Sequence, residues 1–335
     1  MKRRIRTVYI VLIVLTAAAF VLSVSSGSAA IPPSRVLAVL TGREAAAKEV
    51  SIIMQLRLPT TLMAFMLGGA LGVSGYLLQT FFANPIAGPY ILGISSGAKM
   101  AVAAVMIVVL GKRGSISGAS LVAAAFGGAL ITTFFIIFVS HKVRHIASLL
   151  AAGIMVGYIC SAVTDFLVTF AEDQDIVNLH GWSQGSFSGM NWNGVATSAV
   201  IVGAAMAATL LLSKPIGAFR MGENYARSMG VNVAACRVML ILLSSLLAAC
   251  VTAFAGPVSF VGIAVPFLIK GLLGTAKPSA VVPAVFFGGA FFCLMADLIA
   301  RTALAPTVLN VSTVTSVFGA PVVIFMLMRG KKASG

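Results

Sequence analysis

An all-α, polytopic membrane protein with about ten crossings is what this sequence predicts, on three observations. Of its 335 residues, 59% are hydrophobic and 9% are charged, with a mean hydropathy of +1.06. A soluble domain of that composition would lack the polar surface to cover its core. Apolar stretches recur at lengths of about 17–25 residues, each enough to cross a ~30 Å hydrocarbon layer, where a helix satisfies its own backbone. The basic residues then fall unevenly on alternate connections: Arg35, Arg43, Lys48, Arg57, Lys112, Arg113 and Arg301 on one side, Lys99 within a span, and the other fifteen of 23 on the opposite side. The richer side is cytoplasmic by the positive-inside rule, which places both termini there.

The elements follow in order. Lys2-Arg3-Arg4-Ile5-Arg6 anchors a first span over 6–24. Its approach to Ser28-Ala29-Ala30 could also pass for a cleavable leader, but nine further spans make a retained helix the better fit. The external connection 25–58 carries Pro32-Pro33 and a mixed segment, Ser34 to Gln55, that predicts a surface helix before Pro59 opens the second span at 60–82. Asn84-Pro85 and Gly88-Pro89 predict a turn, with Pro89 suited to the first position of the next helix. Spans follow at 90–111, 118–140 and 148–171, then an external stretch to Trp192 whose Trp182 and Trp192 suit the water–lipid interface. The remaining spans are 193–213, 237–255, 258–274, 281–304 and 313–329. Pro266 interrupts the eighth and Lys270 lies near its end, so it is the least regular. Gly68, Gly69, Gly72 and Gly75, then Gly127 and Gly128, then Gly288 and Gly289, predict close helix–helix approach. The whole chain, 1–335, reads as one polytopic membrane domain without a soluble appendage.

Between two spans lies a polar island, Gly222 to Gly230, within a cytoplasmic loop of about 214–236. It predicts a short amphipathic helix, with Glu223 and Arg227 four apart on one face and Tyr225 and Met229 on another. Gly230 can end that helix in a left-handed conformation. An element of this kind is one that a partner protein can grip. Lys99 and Asp165 sit inside spans, where a charge costs roughly 2.5–3.5 kcal/mol. They either pair across the third and fifth spans or lie wet near an interface. The four cysteines lack paired spacing and read as core residues, and the three histidines lie in loops without a metal-binding pattern. No metal site, bound cofactor or Walker A loop is expected in this chain, and the dispersed basic residues exclude a nucleic-acid reader. Two functions open to such a membrane protein are an ion- or proton-coupled secondary transporter and an intramembrane enzyme. The first wants intramembrane acids on a path; the second wants a clustered nucleophile or metal site.

A run of ordered motifs carries a resemblance. Arg57-Leu58-Pro59 leads into Gly68-Gly69-Ala70-Leu71-Gly72-Val73-Ser74-Gly75, then Asn84-Pro85-Ile86-Ala87-Gly88-Pro89 and Leu92-Gly93-Ile94-Ser95-Ser96-Gly97-Ala98. Later come Leu149-Leu150-Ala151-Ala152-Gly153, Gly181-Trp182-Ser183-Gln184-Gly185, Ala255-Gly256-Pro257-Val258-Ser259-Phe260-Val261-Gly262 and Ala296-Asp297-Leu298-Ile299-Ala300-Arg301. Over nearly the whole chain this resembles the FecCD-type permeases, the membrane subunits of type II ABC importers for ferric siderophores, haem, cobalamin and, in some members, molybdate.

The resemblance implies several roles. Gly222, Glu223, Ala226, Arg227 and Gly230 would form the coupling loop that docks on an ATPase, two copies of which use ATP and Mg. Arg57 and Arg301 would receive acidic residues of an extracytoplasmic substrate-binding protein; the residues alone equally suggest an Arg301 pair with Asp297, four positions earlier. The fifth span, around Gly153 to Asp165 and with Lys99 nearby, would line a translocation path completed by a second copy or a close paralogue within the lipid bilayer. Ferric siderophore is the first expectation for cargo by family frequency. Thr60, Phe267, Lys270 and Asn310-Val311-Ser312 depart from the family's usual residues, which weakens transfer of cargo identity but not of fold.

Overall fold

A bilayer interior offers no water to a backbone N–H or C=O, so each spanning segment must close its own hydrogen bonds. The computed structural model describes residues 2–27, 31–42, 46–109, 118–143, 145–305 and 307–330, and every regular element among them is helical. Arg43, Glu44, Lys112, Arg113, Arg144, Lys331, Lys332 and Ser28-Ala29-Ala30, used in the topology argument, lie outside the described residues. The chain runs α1 (Lys2–Ser25), α2 (Pro33–Leu40), α3 (Ala47–Ser51), α4 (Leu58–Phe81), α5 (Ile94–Ala104), α6 (Gly118–Lys142), α7 (Ile146–Val168) and α8 (Asp173–Ser183). It continues through α9 (Trp192–Leu211), α10 (Ser213–Arg220), α11 (Glu223–Ser228), α12 (Val233–Ala255), α13 (Val261–Leu273), α14 (Pro278–Thr302) and α15 (Val311–Gly330).

Eight of these helical stretches are long and apolar enough to cross a membrane, and the two remaining predicted spans are the shorter apolar helices Ile94–Val108 and Val261–Leu273. Both are short for a local reason. The first must wait for the turn at Asn84, whose side chain accepts from Ile86 N at 3.0 Å, and for the tight helical turn opened by Pro89. The second follows extended residues after Gly256, contains Pro266 and ends at a left-handed Gly274. The predicted surface helix before α4 divides into α2 and α3, and α3 runs through a wide turn over Ile52–Arg57 directly into α4.

Contacts gather into two compact units that interleave in sequence: Met1–Val73, Ser186–Ala204 and Ser259–Gly335 form one, and Ser74–Gly185 and Ala205–Val258 form the other. Neither is a contiguous stretch of chain, so the one-domain reading of 1–335 covers two packed bodies. In the first, α1 lies along α14: the Tyr9 hydroxyl donates to Ala280 O at 2.7 Å and Thr16 to Phe287 O at 3.3 Å. Phe65 meets the rings of Phe20, Phe286 and Phe287 edge-on. Gly68 and Gly289 bring the backbones of α4 and α14 together, since a Cβ on Gly68 would lie 2.5 Å from Gly289 O. The Arg4 guanidinium reaches the end of α13 and donates to the Leu272 and Gly271 carbonyls at 2.8 and 2.7 Å.

In the second unit α6 packs on α5 and α12. Gly128 meets Gly97, whereas Gly127, its neighbour in sequence, faces open space and is no packing glycine. Ser74 and Ser244 are both fully buried and exchange hydroxyl-to-carbonyl bonds, 2.7 Å from Ser74 to Ser244 O and 2.9 Å from Ser244 to Ser74 O.

Gly68→Val is expected to destabilise the detergent-solubilised protein by about 1–3 kcal/mol, the ordinary cost of overpacking. Gly127→Val, made into open space, should leave the thermal unfolding midpoint nearly unchanged. A fluorescence-monitored melt of both variants checks the contrast.

Candidate functional site

The polar island folds as the sequence predicts. Gly222 takes φ 115°, ψ 149°, a region open essentially to glycine alone, and turns the chain from α10 into α11. At the other end Gly230 is left-handed at φ 78°, with Val231 N donating to Ala226 O and Gly230 N to Arg227 O, both at 3.0 Å. Those two bonds are the Schellman closure of a helix C-terminus. Ala226 is fully buried beneath α11, and Asn232 caps the next helix by accepting from Ala235 N at 3.0 Å.

Glu223 points along the cleft beside α12, where Arg237 donates to it through Nε at 2.7 Å and Nη2 at 2.6 Å. Arg237 entered the sequence reading only as a topology charge. Fourteen positions separate it from Glu223, so no helical spacing could have joined them. Met221, Tyr225 and Met229 are exposed, and so is Arg227. Large apolar side chains exposed on a polar loop mark an interaction surface when they cluster. A cleft of about 310 Å³ opens beside them, lined by Ser140, His141, Glu223, Arg227 and Arg237.

The two outer-face arginines are arranged differently from their expected docking role. Arg57 is only 6% exposed, and its Nη1 donates to Val24 O at 3.1 Å and Ser25 O at 2.8 Å. Gly27 leaves the room, since a Cβ there would sit 2.9 Å from the guanidinium. Arg301 pairs with Asp297, Nε to Oδ2 at 2.9 Å, and also donates to Ser26 O at 3.2 Å and Ser23 Oγ at 2.8 Å. Both guanidiniums therefore close on the last carbonyls of α1, where a helix end is short of donors and carries partial negative charge. The Asp297 pair weighed in the sequence is the one formed. A binding protein's carboxylates would have to displace these bonds to reach either guanidinium.

The path residues are also separated. Lys99 is half-buried on α5 and Asp165 is exposed on α7, and among the described residues the ion pairs are Glu223–Arg237 and Asp297–Arg301. The Lys99–Asp165 pairing is thus absent among the described residues. Helix α7 meets the turn before α5 through Gly153 and Gly157 against Gly93. Asp165 lies eight positions past Gly157, which at 3.6 residues per turn is about 80° around the helix. Gly153 lines an open cleft of about 370 Å³ with Tyr90, Ser96, Gly157, Tyr158 and Ser161. Among the described residues, no three His, Cys, Asp or Glu side chains converge as a metal site.

Asp297→Ala would leave Arg301 charged and largely buried without its carboxylate. We expect a loss of about 3 kcal/mol, the lower range for breaking a buried pair. Loss of the monodisperse peak on size exclusion after mild heating checks it, and Asp165→Asn should show no such loss.

A FecCD transport family model matches residues 14–329. The vitamin B12 import system permease protein BtuC of Klebsiella pneumoniae subsp. pneumoniae is 33% identical over 330 residues, covering 98% of this chain and 96% of its own length. The Citrobacter koseri protein of the same name is 33% identical over 283 residues, 84% of each chain. Among solved structures, a metal-chelate type ABC transporter in an inward-facing conformation superposes with a TM-score of 0.84 at 25% identity, covering 97% of this chain and 99% of that one. With this likeness running through the whole bundle and the loop alike, the chain belongs to the FecCD transport family and is a multi-pass ABC importer permease of the cytoplasmic membrane.

Proposed function

We propose that this permease carries a corrinoid of the vitamin B12 class, delivered by an extracytoplasmic substrate-binding protein. Two ATPase subunits, which use ATP and Mg, seat on the face of α11. The observation that carries the cargo is the near full-length likeness to permeases of vitamin B12 import. The cleft beside α7 agrees with it in chemistry: Ser96, Tyr158 and Ser161 line it with hydroxyls, and Tyr90, whose hydroxyl accepts from Val258 N at 3.1 Å, adds a ring, without an ionised group. Helix α7 leaves Met155, Tyr158, Ile159 and Phe166 uncovered. A second copy of the chain, or a close paralogue, covers that face and completes the path. Nucleotide binding and hydrolysis in the partners move α11, and the helices lining the path switch between outward and inward access. The chain itself makes and breaks no covalent bond.

The test is uptake of labelled cyanocobalamin by proteoliposomes holding the permease, its ATPase and its loaded binding protein. ATP-dependent accumulation is expected. Accumulation of a ferric siderophore in its place would overturn the cargo, and uptake without the ATPase would favour an ion-coupled carrier. Arg227→Glu is expected to weaken retention of the ATPase subunit by about tenfold at low salt and less at high salt, as an exposed charge contact does. A salt series of affinity co-purifications measures it.

A further inference from the structure

We propose that Arg237 is a positioning residue for energy coupling: with Glu223 it forms a strut that ties α11 to α12, so that movement of the loop becomes movement of a core helix. The inference rests on the reading of α11 as the ATPase contact, and assigns Glu223 a task inside the chain, leaving the partner to the neighbouring side chains.

Six residues make too short a helix to hold itself in water, so α11 takes its position from its attachments. Three of these fix only its shape or seat: the turn at Gly222, the closure at Gly230 and Val231, and the buried methyl of Ala226. The Glu223–Arg237 pair is different because it fixes direction. Two parallel N–H···O bonds at 2.6 and 2.7 Å hold a carboxylate and a guanidinium in one plane, which resists rotation as well as separation. Both partners are about three-quarters covered, with side-chain exposures of 24% for Arg237 and 27% for Glu223, so water competes only in part.

What lies behind Arg237 makes the strut effective. It stands in the first turns of α12, a helix whose most apolar stretch is 72% buried and whose Ser244 is bonded to Ser74. A push on α11 therefore meets a helix set in the core. With Glu223 committed to Arg237, Arg227 remains as an exposed cation on the same cleft, while Tyr225 and Met229 are exposed on another face of the loop.

The experiment compares wild type with Glu223→Gln, Arg237→Ala, Arg237→Lys and the exchanged double variant Glu223→Arg/Arg237→Glu, each reconstituted with the ATPase and binding protein. Uptake of whichever cargo the wild type accumulates, cyanocobalamin or ferric siderophore, is divided by ATP hydrolysed. Glu223→Gln and Arg237→Ala should each lower that ratio by about tenfold, the usual scale for losing a hydrogen bond between charged groups. Arg237→Lys, which keeps the charge without the fork, should fall between them and wild type, and the exchanged double should recover most of the ratio. All four should retain the ATPase subunit on affinity purification. Wild-type ratios in Arg237→Ala or Arg237→Lys overturn the strut, and the lysine variant decides the matter if the exchanged double does not assemble. Loss of the ATPase subunit from Glu223→Gln but not from Arg237→Ala would make Glu223 a direct contact and also overturn it. An ATPase that fails to co-purify with wild type overturns the parent reading, and the strut with it.

Discussion

Hydrocarbon supplies no hydrogen bonds, and nearly every feature of this chain answers to that. Within a span the helix answers it alone, but each helix ends with carbonyls that have no partner in the same helix. The exposed ends can use water. The partly covered end of α1 has less water, and Arg57 with Arg301 close it, while Arg4 donates to the exposed end of α13. A guanidinium suits the task because it brings several donors and a charge that the helix end attracts. In a sequence that is only 9% charged, these three residues tie helix ends together within the first unit.

The same scarcity of charge shapes the loop that carries α11. Glu223 and Arg237 neutralise each other in the cleft, and the charge left facing outward on α11 is Arg227. The loop thus exposes its cation beside the cleft and its apolar side chains, Tyr225 and Met229, on another face, a split that favours orientation by charge and adhesion by burial. The opposite arrangement, with Glu223 turned outward, would present a zwitterion that a partner of either sign would find less distinctive.

Much of this could be read from residues. Run length located the eight membrane-length helices and the two shorter apolar ones to within a few positions, and Pro266 lies inside one of the two short ones. The glycines at 222 and 230 announced the ends of α11, because turns of that shape admit few other residues. What could not be read was azimuth. Hydropathy says that Gly127 and Gly128 share a helix but not which of them meets α5. Topology says that Arg57 lies at the outer face but not that its side chain folds back onto α1. Lys99 and Asp165 both lie within predicted spans, but one is half-buried and the other exposed. Arg237 was invisible for the same reason: its partner is fourteen positions away and is brought beside it only by the return of the chain into α12.

The reciprocal bond between Ser74 and Ser244 has a consequence for how the second unit can deform. Both bonds cross the seam at one height, so sliding α4 along α12 by a full helical turn, about 5.4 Å, would break both at once. A small tilt about that point keeps each hydroxyl on the other's carbonyl. The pair therefore works as a pivot, resisting axial travel at Ser74 and Ser244 more than it resists a change of angle.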